Sequence, residues 1–127
     1  MRYESLMQAK FLSLGTYRKS REIVNTPIWF AELEGIYYAF SAGGAGKIKR
    51  LKNSSQSKVA ACTSTGRVTG TWINASAWVL EKNEQTTALK ALHQKYGWQM
   101  SMVDYLSKLT GKYNQRAYIA IQVKSSK

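Results

Sequence analysis

Ser41-Ala42-Gly43-Gly44-Ala45-Gly46-Lys47-Ile48-Lys49-Arg50-Leu51-Lys52-Asn53 is the stretch of this chain best equipped to hold a charged ligand. Three glycines open it, four cations follow within six residues, and no acid interrupts it. The acid-free run continues from Gly35 to Leu80 and carries Lys47, Lys49, Arg50, Lys52, Lys58 and Arg67, half of the net charge of +12. Glycines let an anion come close to backbone N–H groups. A helix starting at Gly46 or Lys47 would aim its positive end at that anion. The chemistry this suits is capture of a phosphorylated ligand; the plainer alternative is an ordinary turn before a solvated basic helix. Two common phosphate motifs are excluded. A P-loop requires Ser or Thr directly after its lysine, where Ile48 stands, and its first glycine is missing. The dinucleotide fingerprint needs a third glycine inside the helix, whereas Gly44-x-Gly46 is followed by charged and aliphatic residues.

Groups that could catalyse on their own are scarce. The single histidine, His93, falls on an amphipathic pattern four residues after Leu89 and reads as a helix-surface or core-edge residue. One Cys and one His are too few for a zinc site, and no metal is expected. Cys62, in Val59-Ala60-Ala61-Cys62-Thr63, reads as a buried strand residue, and nothing in its spacing to His93 recommends a nucleophile pair. Paired carboxylates are absent too: six of the seven acids fall in turns or predicted helices, and Glu22 sits beside a hairpin. Any catalysis would therefore draw its reactivity from a bound cofactor, with no essential acid or base side chain.

With 127 residues, 44% apolar and 20% charged, residues 1–127 form one domain with enough apolar surface for a core. No apolar run is long enough to span a membrane, and no membrane partner is expected. The N-terminus lacks a hydrophobic signal core, and a single Cys62 fits a reducing compartment, so a cytoplasmic location is expected. Nineteen cations beside fifteen aromatics raise the question of nucleic acid. The aromatics, however, sit inside strand-like runs such as Tyr37-Tyr38 and at Trp72, not among the basic cluster, which argues against it.

The elements that must position the basic stretch follow from periodicity. Leu6, Met7, Phe11 and Leu14 suit a helix running into a strand near Phe11 or Leu12, with a break at Gly15 and a strand resuming over Thr16-Tyr17-Arg18. Lys19-Ser20 predicts a hairpin turn, and Ile23 to Phe30 the returning strand. On it Val24, Thr26, Ile28 and Phe30 share one face and Asn25, Pro27 and Trp29 the other; Pro27, lacking a donor, predicts an edge or bulge. Glu34-Gly35 turns the chain into Ile36 to Phe40. After the basic helix come Val59 to Thr63, a turn at Ser64-Thr65-Gly66, and a long strand over Arg67 to Glu81 with a bulge at Gly70. Asn83 is expected to cap a helix ending at Tyr96-Gly97. Ser101-x-x-Asp104 suggests a capping box for a second helix ending at Gly111. Ala117 to Val123 closes the chain as a strand, with fraying expected beyond Lys124. Six or seven strands with helices between them make a mainly β fold, a small antiparallel barrel with flanking helices.

Several of these residues occur together in a known pattern. Phe11-Leu12-Ser13-Leu14-x-Thr16-Tyr17-Arg18, Thr26-Pro27-Ile28-Trp29-Phe30, Gly46-Lys47-Ile48-Lys49-Arg50-Leu51 and Cys62-Thr63-x-x-Gly66 follow one another in the order of the pyridoxamine 5′-phosphate oxidase-like split-barrel family. The chain resembles its small deazaflavin-dependent branch most, over about residues 5 to 123. The resemblance implies a split, FMN-binding-like β-barrel that forms a homodimer, with FMN or coenzyme F420 in a groove at the dimer interface. It implies Ser41, Lys47, Lys49 and Arg50 as phosphate ligands and Thr26, Pro27 and Trp29 along the ring. The activity implied is that of an oxidoreductase, passing hydride to or from a small unsaturated or quinone-like substrate. The alternatives are a non-catalytic flavin- or haem-binding module on the same barrel, or a basic nucleic-acid-binding barrel. Where the family often has Asp-Gly at the first hairpin this chain has Lys19-Ser20, and Ser41 stands where the family often has Thr.

Overall fold

Apolar side chains at alternate positions commit one face of each strand to a shared interior. Among the described residues, six strands share it. They are β1 (Phe11–Tyr17), β2 (Ile23–Leu33), β3 (Ile36–Ala42), β4 (Gln56–Cys62), β5 (Ile73–Val79) and β6 (Arg116–Val123). All neighbouring pairs are antiparallel, and the barrel closes in the order β1-β2-β3-β6-β5-β4. The computed structural model describes residues 9–124. Leu12, Leu14, Ile28, Phe30, Val59, Ile73, Ala75, Ile119 and Ile121 meet inside it. Helix α1 (Gly46–Asn53) adds Ile48 and Leu51 to that same core, so the barrel interior fixes how the helix lies. Helices α2 (Gln85–Tyr96) and α3 (Trp98–Leu109) stay outside, where Ala88, Ala91, Leu92, Tyr96 and Met100 pack on Ala31, Tyr118 and Ala120.

The mainly β barrel with flanking helices expected from the sequence is what forms. The helix starts at Gly46 as expected, and Glu34 (φ 54°) and Gly35 (φ 87°) supply the two left-handed residues of the β2–β3 turn. β2 pairs with β1 from Ile23 to Trp29 but with β3 only from Phe30 to Leu33. Its first half thus has a ladder on one side, and Pro27, which has no N–H to give, lies in that half.

Four local expectations are corrected. Gly15 does not break the first strand: β1 runs through it, and its missing side chain makes room for Ile23 and Asn25 of the paired strand. The helical start expected around Leu6 and Met7 lies outside the described residues, as does the chain beyond Lys124. The strand expected from Arg67 begins only at Ile73, because the Thr69 and Gly70 N–H groups both donate to the Ala61 carbonyl and a regular ladder cannot continue through that shared acceptor. Asn83 is not a cap; it lies within a 3₁₀ turn, Lys82–Glu84, whose capping box is made by Glu81 and Glu84. Ser101 and Asp104 do not form a cap either. Gly97, with φ 56°, ends α2 and starts α3 in one residue, which leaves both side chains inside the helix.

The loop leading into α1 is fitted closely to the rest of the chain. Gly43 donates its N–H to the Gln115 carbonyl at 2.8 Å, and a Cβ at this position would collide with that oxygen. Gly44, next to it, faces open space. Gly43→Ala is therefore expected to cost roughly 1–3 kcal/mol in a urea titration, with Gly44→Ala staying within about 0.5 kcal/mol of the parent.

A candidate anion-binding site on helix α1

The sequence of α1 places its two apolar residues, Ile48 and Leu51, in the core and leaves the cations no choice but the surface and its edges. Its N-cap is Ala45, which contributes no side-chain hydrogen bond, and its first turn carries no acid. The positive end of the helix is therefore not compensated by a side chain from within.

At a rotation of about 100° per residue, Lys47 falls on the flank nearest β3, where its Nζ donates to Ser41 Oγ at 2.9 Å. Gly46, Lys49, Arg50 and Asn53 share the next face and look onto the turn between β1 and β2. Arg50 Nε donates to Thr16 Oγ1 at 2.6 Å, which anchors the guanidinium to the β1 strand. Thr16 is itself fully buried, so the anchor is firm. Burial, then the neighbouring Arg50, lower the Lys47 ammonium from its usual range; burial, then Arg18, do the same to Arg50. The shifts describe a row of like charges running from Lys47 through Arg50 to Arg18. Among the described residues, the carboxylate ion pairs are His93–Asp104 and Arg116–Asp104, so no acid neutralises this row.

A cavity of about 520 Å³ opens between α1 and the β1–β2 turn, with Arg18, Lys19, Arg21, Lys49 and Arg50 in its walls. Of the residues expected at the site, Lys49 and Arg50 line this cavity, while Lys47 and Ser41 form their own pair beside it. Lys49 shares this wall with Arg50, and Lys47 is turned towards Ser41. The three β2 residues lie elsewhere. Thr26 is half-buried opposite Leu14, and Pro27 stands opposite Ser13 and next to the Gly66 turn. Trp29 stacks on Tyr96 of α2, with ring centres 4.4 Å apart and planes at 12°.

Sequence reasoning passed over the cations of the turn, Arg18, Lys19 and Arg21. The signal was present as three cations in four residues, Arg18-Lys19-Ser20-Arg21. It also passed over a buried charge network. Asp104 accepts from Arg116 at 2.7 Å and meets His93 Nε2 at 2.8 Å, linking β6, α3 and α2. Arg116 also donates to Ser107 Oγ and lies 4.4 Å over the Phe40 ring. Burial works to lower its pKa, but hydrogen bonds to Tyr118 and Asp104 outweigh that and raise it, so the guanidinium stays charged. His93 is thereby engaged in holding two helices together. Cys62 is buried, and burial pushes its thiol up, away from the reactive thiolate. Among the described residues no three His, Cys, Asp or Glu come together as metal ligands.

No protein-family model matches the sequence, and no curated protein matches it. Solved structures do match in fold. HutZ, a haem storage protein from Vibrio cholerae, gives a TM-score of 0.72 at 14% identity, over 98% of this chain and 88% of its own. A Listeria innocua protein named for pyridoxamine 5′-phosphate oxidase gives 0.64 at 13% identity, over 97% and 90%. An FAD-binding protein from Mesorhizobium loti gives 0.61 at 15% identity, over 97% and 85%. The fold is therefore the split barrel of pyridoxamine 5′-phosphate oxidase-like proteins, as the resemblance implied.

Proposed function

We propose that this split-barrel chain binds a flavin or deazaflavin, FMN or coenzyme F420, and acts with it as an oxidoreductase on a small unsaturated or quinone-like substrate. The observation that carries the proposal is the uncompensated row formed by Lys47, Arg50 and Lys49, with the Ser41 hydroxyl beside it. A phosphate would take the place of the missing carboxylates and collect charge-assisted hydrogen bonds from this donor set. Among the described residues, none in the walls of the adjoining cavity is an acid that would repel it. The half of β2 around Thr26 and Pro27 has a ladder on one side only, and it offers backbone groups to the edge of a ring. When bound, the cofactor supplies the hydride chemistry. The chain's residues hold its phosphate and orient its ring, and no proton-transferring side chain is invoked.

Neighbours with this fold include both a haem storage protein and an FAD-binding protein, so a carrier on the same barrel is the second reading. His93 weighs against haem, because its Nε2 faces Asp104. Association with a second copy, the cofactor lying at the interface, belongs to the proposal, as does a cytoplasmic location. Trp98, Met102, Tyr105, Leu106 and Leu109 stand exposed along one side of α3, an apolar stripe of the kind a partner covers. Among the described residues no helix is long and apolar enough to cross a membrane.

The test begins with the purified protein. Absorption in the flavin or deazaflavin bands, and a released ligand of matching mass, are the expected results; a haem Soret band or a nucleic-acid band would overturn the assignment. Turnover of a quinone or nitro compound by the reduced cofactor then separates an enzyme from a carrier. Light scattering reads the number of copies in the particle.

A further inference from the structure

We propose that α3 docks this chain on an anionic lipid surface, lying in the plane of the membrane with Trp98, Met102, Tyr105, Leu106 and Leu109 among the lipids. The proposal does not depend on the cofactor reading. It revises the expectation of no membrane partner, which rested on the lack of a spanning run; a helix that lies in the interface needs none.

The placing of the stripe is the first argument. At a rotation of about 100° per residue, its five members fall within an arc of about 100°, and the buried Met100 falls on the opposite side. The stripe therefore points away from the protein body. Trp98 is 73% exposed and Leu109 66%, so these side chains protrude. A protein partner would have to supply a groove shaped to all five, whereas lipid tails close around each of them. The residue types agree. Trp98 and Tyr105 combine an apolar ring with a polar tip and suit the boundary between lipid and water. Met102, Leu106 and Leu109 have no polar tip and suit the tails below it.

Charge is the second argument, and it selects the lipid. From Gln85 onward the chain has one acid, Asp104. That acid is buried and held by Arg116 and His93, so it sets no free negative charge beside the stripe. Lys108 stands on the flank of α3 and Lys112 just past its end, both exposed. Lysine stems can rest along an apolar face while their ammonium groups reach the headgroups. The net charge of +12 draws the whole chain toward an anionic surface in the same way. A second copy fits the stripe less well, because the two faces brought together would carry charge of the same sign.

Sedimentation with vesicles tests the proposal at one fixed salt concentration. One set is phosphatidylcholine alone, the other equal parts phosphatidylcholine and phosphatidylglycerol. The parent is compared with Leu106→Ser/Leu109→Ser; both leucines are exposed, and circular dichroism checks that the variant folds. The parent is expected to bind the mixed vesicles about ten-fold or more tightly than the neutral ones. The variant is expected to bind the mixed vesicles about ten-fold or more weakly than the parent. Tryptophan emission of the parent is expected to move to shorter wavelength on the vesicles, and Trp98→Phe to remove most of that change. No binding by the parent, or equal binding to both kinds of vesicle, overturns the proposal. So does a variant that binds as the parent does, since net charge alone would then explain the attraction. A parent that scatters light as a dimer and a variant that scatters as a monomer would assign the stripe to a second copy, and overturn the proposal as well.

Discussion

Lys47→Ala/Arg50→Ala is expected to weaken cofactor binding by about 10²–10⁴-fold. Each charge-assisted contact to a phosphate contributes roughly 1.5–3 kcal/mol, and the double substitution removes two of them. Among the described residues neither cation is paired with a carboxylate, so no buried acid there is stranded by the change. Two hydroxyls lose a donor: half-buried Ser41 loses Lys47 Nζ at 2.9 Å, and buried Thr16 loses Arg50 Nε at 2.6 Å, the costlier of the two. That loss is expected to cost about 1–3 kcal/mol of stability, partly offset because the repulsion among Lys47, Arg50 and Arg18 is relieved at the same time. Binding and unfolding titrations on one preparation separate the two effects. A double variant that is folded and binds as tightly as the parent would remove Lys47 and Arg50 from the site.

Asp104→Ala is the substitution expected to harm the fold most, by about 3–5 kcal/mol. The Arg116 side chain is only 4% exposed and the Asp104 side chain 12%, so water cannot replace the lost carboxylate. The guanidinium keeps Ser107, Tyr118 and the faces of Phe40 and Tyr113, but none of these carries a full negative charge. His93 loses its partner in the same step, and the join between α2 and α3 loosens. Replacing both charges, as Asp104→Leu/Arg116→Met, is expected to cost less than Asp104→Ala alone, because no unpaired charge then stays buried. Urea midpoints of the two variants decide the point: a single variant within 1 kcal/mol of the parent would show that the network contributes little.

What could be read from the sequence was local or strictly periodic. The start of α1 followed from glycines ahead of a basic run, and the faces of β2 from alternation. What could not be read depended on partners far along the chain. Thr71 continues the alternation of β5, so nothing in the pattern shows that Thr69 and Gly70 have both turned to the Ala61 carbonyl. Ser101 and Asp104 have the spacing of a capping box, but such a box works only at a helix start, and Gly97 moved that start to Trp98. The candidate site shows the same division. Its α1 half is contiguous and was evident, whereas Arg18, Lys19 and Arg21 lie some thirty residues earlier. Only the pairing of β1 with β2, and the placing of α1 against β1, bring those cations to Lys49 and Arg50. Asp104 gave no sign of Arg116 because their partnership is a product of helix packing.

The order of strands around the barrel also governs how the molecule can be made. β6 sits between β3 and β5, yet it follows every other strand in the sequence. During synthesis, β3 and β5 must therefore wait on the ribosome with bare hydrogen-bonding edges until residues 116–123 emerge. A nascent chain stalled before Arg116 has no closed ring, however complete its other five strands. Chaperone dependence and premature aggregation should concentrate in that interval.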